Sequence, residues 1–202
     1  MNDDAIIVTE INKKIHKFFD EAYGDKHVLH NLKHLEWQFR NNPYLKGTDF
    51  SLVIIEDSEK VKSHLGFIPI QLKILNETIL AVWHVSFFTL EEFRGKKLGT
   101  KTIDLSNRYG DLSMVLSGSD GTKKIYTNMG GKDLGLLNRH IKLLRKDKIE
   151  KYSDIVINLE NFPIIKPSVG KLVRINKLGI EYDEFWNKVK NRYPITVDRT
   201  RE

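Results

Sequence analysis

Three groups of residues in this chain have types and spacings that can do chemistry. The first is Arg94-Gly95-Lys96-Lys97-Leu98-Gly99-Thr100, a basic, glycine-containing turn. It joins an apolar run, Ile79 to Phe88, to a segment with helical spacing. A strand that passes through such a turn into a helix is suited to holding phosphates. Glycine lets the backbone approach an anion closely. The first amides of the helix are unsatisfied and lie at the positive end of its dipole. Arg94, Lys96 and Lys97 add positive charge. The second group is His84, inside the apolar run. Its intrinsic pKa near ~6.5 suits a general base, and it equally suits a core histidine bonded to a neighbouring carbonyl. The third is His27, His30 and His34, whose spacing could bring three imidazoles to one helical face, as in a metal site. No carboxylate partner stands out and a surface helix explains the same spacing, so no metal is expected.

The rest of the composition narrows the classes. The 202 residues suit one domain, or one domain with a piece of another. Cysteine is absent, which excludes disulfides, cysteine zinc sites and cysteine nucleophiles. No apolar run is long enough to cross a bilayer, and Met1-Asn2-Asp3-Asp4 lacks signal-peptide character. The expected location is the cytoplasm. The net charge of +6 permits anionic partners. The lysines are interleaved with acids, as in Asp147-Lys148-Ile149-Glu150-Lys151, and no nucleic-acid module accompanies them, so nucleic acid is not the expected partner.

The elements that must position these groups follow from periodicity. Ile11, Ile15, Phe18, Phe19 and Ala22 predict a helix over Glu10 to Tyr23 with Thr9 as its cap, and a second helix covers Leu29 to Phe39 until Asn41-Asn42-Pro43 breaks it. Asp49 to Glu56 predicts a strand, His64 to Leu75 another interrupted at Gly66 and Pro69, and Thr78 to Phe88 the central one. Strand parity would put His84 with Val82, Ser86 and Phe88, opposite Trp83, Val85 and Phe87. After the turn, Leu98, Thr102, Leu105 and Tyr109 form a helix face that ends at Gly110. A short buried strand at Leu112 to Ser117, a helix from Gly121 to Asn128 and a strand over Leu136 to Leu144 follow. Tyr152 to Val173 reads as irregular, and Glu181 to Val189 as an amphipathic helix with Tyr182, Phe185, Trp186 and Val189 on one face. The fold class is mixed α/β (α+β), with antiparallel strand signals in its first half.

Glu91-Glu92-Phe93-Arg94-Gly95-Lys96-Lys97-Leu98-Gly99 resembles the coenzyme A signature of the GNAT superfamily of N-acetyltransferases, Arg/Gln-x-x-Gly-x-Gly/Ala after a strand. Arg94 and Gly99 match its ends, and Lys97 stands at the central glycine. The stretch from Gly118 to Gly130 resembles the family's second signature, a helical tyrosine four residues before a glycine: Tyr126 and Gly130 fit, and Gly131 replaces the usual phenylalanine. Trp37-Gln38-Phe39-Arg40-Asn41-Asn42-Pro43-Tyr44 is similar to a segment of a bacterial branch associated with surface polysaccharides, some of whose members have two GNAT-like halves.

The resemblance implies a mostly antiparallel central sheet flanked by helices, with residues 1–150 as the acyl-CoA domain. Residues 151–202 would be a linker and C-terminal extension, the start of a second half in a shortened member. It implies acetyl-CoA as co-substrate without a metal, held by Phe87, Phe88 and Thr89 along its arm and by the Arg94–Thr100 turn at its phosphates. His84 would be the base and Tyr126 the acid that protonates the thiolate. Trp37, Arg40 and Tyr44 would border the acceptor, a primary amine and by branch a nucleotide-linked amino sugar. Direct transfer in a ternary complex is expected. Two other readings stand beside it: a Fem-type transferase using aminoacyl-tRNA, and a degenerate domain that only binds a ligand or partner. The helix around Trp186 could pack on its own domain or on a second copy as a homodimer.

Overall fold

The computed structural model describes residues 3–45, 47–135 and 177–198. Met1–Gly131 and Leu178–Glu202 form one compact unit; the second, Lys132–Lys177, falls almost wholly outside the described residues. The strand expected over 136–144 and the irregular stretch 152–173 lie outside them too.

In chain order the first unit contains β1 (Ala5–Ile7), α1 (Lys13–Tyr23), a 3-10 turn (Val28–His30), α2 (Leu32–Phe39), β2 (Leu52–Glu56), β3 (Val61–Ile74) and β4 (Glu77–Thr89). A 3-10 turn (Glu91–Phe93), α3 (Leu98–Ser106), a second turn (Asn107–Tyr109), β5 (Leu112–Val115), α4 (Asp120–Asn128), α5 (Ile180–Val189) and β6 (Ile195–Val197) complete it. Asn12, not Thr9, caps α1: its Oδ1 accepts from the amides of Lys14 and Ile15. The predicted helix over Leu29 to Phe39 is divided, because Asn31 closes the 3-10 turn and caps α2.

The sheet order is β1-β2-β3-β4-β5, with β6 also on β3. Every pair is antiparallel except β4 with β5. β3 is continuous through Gly66 and Pro69, contrary to the expected interruptions. One edge of β3 pairs with β4 throughout; the other pairs with β2 up to Gly66 and with β6 from Leu72. Pro69 falls in the gap between β2 and β6, where no ladder amide is needed. Its carbonyl accepts from Asn42 Nδ2 at 2.9 Å. Gly66 has no Cβ because the Phe39 ring occupies that space, 2.7 Å from where one would be.

Both faces of the sheet are covered. On one, Ile15, Phe18, Phe19, Leu35 and Phe39 from α1 and α2 pack on Leu52, Ile54 and Val61. On the other, Ile103 of α3 packs on Val53, Leu65, Phe67 and Val82, with Ile125 and Tyr126 of α4 against them. β5, expected to be buried, is an exposed strand: Leu112 and Val115 both face solvent in the described structure. The C-terminal segment, expected as an extension from residue 151, closes on this same sheet. β6 pairs with Leu72–Ile74, and Trp186, 8% exposed, donates to Asp198 Oδ1 at 2.8 Å. Of the expected apolar face of α5 only Trp186 is buried; Phe185 is 59% exposed.

Candidate active site

β4 carries the site because its register breaks there. Gly66 pairs with Val85 but His64 pairs with Phe88, so Ser86 and Phe87 together oppose Leu65. This is a β-bulge, and Ser86 within it has a left-handed φ of 51°. The extra residue inverts the alternation of side chains. Phe87 therefore joins Val82 on the α3 face, and Phe88 joins Val85 on the α1 face. The parity predicted from an unbroken strand fails at this point. The parallel pairing of β4 with β5 ends at His84↔Val115, just before the bulge. From Val85 to Thr89, β4 pairs with β3 alone among the described residues. Tyr23 of α1 donates to the Ser86 carbonyl at 2.7 Å and anchors the bulge from behind; burial pushes its phenol up and keeps it a donor.

On the α3 face His84 is 1% exposed and has a partner at each ring nitrogen. Nδ1 lies 2.8 Å from the Tyr126 hydroxyl of α4, and Nε2 lies 2.9 Å from Ser106 Oγ of α3. Burial pushes His84 down to about 4 and raises the Tyr126 phenol. At neutral pH both groups are uncharged. His84, expected as the base, is buried, and its Nδ1 meets the hydroxyl of Tyr126, which is half-buried. Ser106 is the residue that sequence reasoning missed. A helix face drawn through Thr102, Ser106 and the i−3 position Ile103 would have found it.

The basic turn contains two residues with positive φ. Gly95 has φ 81° and open space where a Cβ would be. Lys97, at the family's central glycine, adopts the left-handed conformation itself (φ 60°) and precedes α3 with no side-chain cap. The first amides of α3, from Leu98 to Thr100, precede any intrahelical partner. Gly99 lets α3 approach β4: a Cβ there would lie 2.6 Å from Phe87 Cζ and 3.7 Å from Ile125 of α4. Arg94 is tied down, with Nε donating to the Thr89 carbonyl at 3.2 Å and its guanidinium paired with Glu91. Its guanidinium also lies 5.5 Å from the Phe88 ring. Lys96 sits over Phe93.

The departure from the second signature, Gly131, also has a local reason. Gly130 (φ 89°) and Gly131 close α4 in a Schellman motif, their amides reaching Thr127 and Tyr126 carbonyls at 3.0 and 2.8 Å. A Cβ at Gly131 would lie 2.8 Å from the Tyr126 carbonyl, so a phenylalanine would displace that turn.

The residues expected near the acceptor are not brought to the Tyr126 hydroxyl by any contact in the described structure. Arg40 donates to the Thr9 carbonyl and lies 3.8 Å over the Phe50 ring. Trp37 is 69% exposed, against His34. Tyr44 follows α2 in a turn held by Asn42. The three histidines part company: His27 caps its turn and stacks on Tyr23, His30 meets Asp20 and His16, and His34 meets Trp37. Among the described residues no group of acids and histidines could hold a metal ion.

No protein-family model matches the chain, and no curated protein does. Solved structures similar to it include AAC(6')-Iy in complex with a bisubstrate analogue of coenzyme A, at 13% identity and TM-score 0.49, over 70% of this chain and 98% of that one. The Bacillus subtilis N-acetyltransferase YlbP in complex with coenzyme A matches at 12% identity and TM-score 0.44, over 63% and 82%. Glucosamine-6-phosphate N-acetyltransferase from Arabidopsis thaliana matches at 19% identity and TM-score 0.35, over 46% and 64%. The match thus spans under two thirds of the plant enzyme's own length.

Proposed function

We propose that this chain is an acetyl-CoA-dependent N-acetyltransferase that transfers the acetyl group directly to a primary amine. The observation that carries the reading is one constellation: β4 parts from β5 at the Ser86–Phe87 bulge, and the basic turn and open N-terminus of α3 follow on the same chain. The residues present fit acetyl-CoA. Gly95 and the amides of Leu98, Gly99 and Thr100 suit its pyrophosphate, with Lys96 and Lys97 supplying charge. Phe87, Phe88 and Thr89, which have no β5 partner, suit its extended arm, with backbone groups to polarise the thioester oxygen. Tyr126 is the acid that protonates the leaving thiolate.

The finer reading is a nucleotide-linked amino sugar as acceptor, used in the cytoplasm for surface-glycan synthesis. What supports it is the Trp37–Tyr44 segment, whose exposed indole offers a flat apolar face to a sugar or base.

Calorimetry with acetyl-CoA, followed by turnover on an amine panel read through the released thiol, tests the proposal. Micromolar binding that weakens in Arg94→Ala, with turnover on an amine, supports it. Binding without turnover would make the chain a ligand-binding domain, and salt-sensitive tRNA binding without acetyl-CoA binding would favour the aminoacyl-transferase reading.

A further inference from the structure

We infer that Tyr126, His84 and Ser106 work as a single proton relay, in which Tyr126 touches the reacting atoms and His84 is a positioning residue that takes up and returns the phenolic proton. The inference rests on the N-acetyltransferase reading above and deepens it.

The relay uses one direction of hydrogen bonding. The Ser106 hydroxyl donates to the Ile103 carbonyl at 2.8 Å, which also receives the Asn107 amide, and its Oγ lies 2.9 Å from His84 Nε2. With its one proton on that carbonyl, Oγ accepts from His84 Nε2–H. The neutral imidazole then carries a lone pair at Nδ1, and the Tyr126 hydroxyl donates to it across 2.8 Å. Three bonds therefore run one way, from the half-buried phenol inward to the backbone of α3. Protonation at Nδ1 needs no rearrangement, because Nε2–H goes on donating to Ser106 whether the ring is neutral or charged. The acceptor for the charged state is already in place.

The relay balances both proton transfers of the reaction. As the amine nitrogen bonds to the thioester carbon, its proton passes to the Tyr126 oxygen and the phenolic proton crosses to His84 Nδ1. As the carbon–sulfur bond breaks, His84 returns that proton to the tyrosine oxygen and Tyr126 gives its own to the thiolate. One proton leaves nitrogen, one arrives on sulfur, and His84 ends neutral. Because burial depresses its pKa, His84 starts unprotonated at neutral pH and gives the proton back readily.

A double-mutant cycle on kcat, run on the full chain with acetyl-CoA and an accepted amine, tests the coupling. Tyr126→Phe is expected to lower kcat by about 10²-fold or more, and His84→Gln by about 10-fold or more. The double variant should fall no further than Tyr126→Phe alone. KM for acetyl-CoA should stay within a few-fold throughout. Effects that multiply, or full turnover in His84→Gln, overturn the relay. If His84→Gln does not fold, Ser106→Ala replaces it in the same cycle with the same two outcomes. ¹⁵N spectra of the histidine side chains give an arm independent of turnover: the unliganded protein at pH 7 should show His84 protonated at Nε2, and an Nδ1–H form overturns the relay. The expected tautomer in a protein that acetylates no amine would overturn the function reading, and the relay's role with it.

Discussion

Two histidines lie on opposite faces of the central sheet, His64 on β3 and His84 on β4, and they solve burial in opposite ways. His84 on the α3 face has a partner at each ring nitrogen. His64, paired with Phe88 and covered by Phe18, Phe19 and Tyr23 of α1, has none within hydrogen-bond geometry, although the Ser86 backbone lies close enough to favour its charged form slightly. Burial pushes both down to about 4. One polar group is bonded at both nitrogens, to Tyr126 and Ser106; the other is a buried orphan in an aromatic wall. Desolvation alone therefore does not mark a working residue here. The partners do. The same contrast holds for the glycines, since Gly66 admits Phe39 on the α1 face and Gly99 admits Phe87 on the α3 face.

The largest effect expected from this comparison is acid sensitivity. A histidine near ~6.5 when unfolded and about 4 when folded binds its proton only in the unfolded chain across that interval. Stability is full above the unfolded value and falls as pH drops towards 4. From pH 7 to pH 5 the two sites together should cost on the order of 4 kcal/mol, about half from each. Urea unfolding at the two pH values measures it. His64→Leu should halve that loss and, by removing the unpaired ring, add about 1 kcal/mol at pH 7. Equal pH dependence in wild type and His64→Leu would break the pairing of the two sites.

The glycines give the next test. Gly66→Ala and Gly99→Ala should each destabilise by about 1–3 kcal/mol through crowding of a phenylalanine, with Gly99→Ala at the lower end because alanine favours the helix. Only Gly99→Ala should weaken acetyl-CoA binding, since of the two crowded rings, Phe39 and Phe87, it is Phe87 that borders the proposed arm. The smallest effect is at the turn. Lys97→Gly relieves a left-handed lysine worth roughly 1–2 kcal/mol but loosens the unfolded chain. A net gain below about 1 kcal/mol, seen as a small rise in Tm, is expected together with weaker acetyl-CoA binding, because Lys97 supplies charge at the proposed pyrophosphate site; unchanged binding would remove Lys97 from that site.

Much of this was legible from residue types at short range. Apolar spacing placed α1, β2, β4 and α3, and Gly95 with Gly99 marked the basic turn, while the close approach of α3 to Phe87 at Gly99 came only from the structure. β1 and β6 were not legible, because three-residue strands such as Ala5-Ile6-Ile7 carry too little periodicity. Their pairing partners, Val53–Ile55 and Leu72–Ile74, lie far away in sequence. Pro69 looked like an interruption because only the gap between β2 and β6 makes its missing amide harmless.

The sequence by itself determined the chemistry on offer: a basic glycine turn after an apolar strand, a histidine within that strand, a tyrosine on a later helix and no cysteine. Those features are local, set by residue identity and spacing. The tertiary structure alone decided how they combine. The bulge at Ser86 is a register mismatch between β3 and β4, and one extra residue moves Phe87 and Phe88 to opposite faces from those a regular strand would give. The meeting of His84 with Ser106 and Tyr126 joins residues 22 and 42 positions away, brought together by packing α3 and α4 on one side of the sheet.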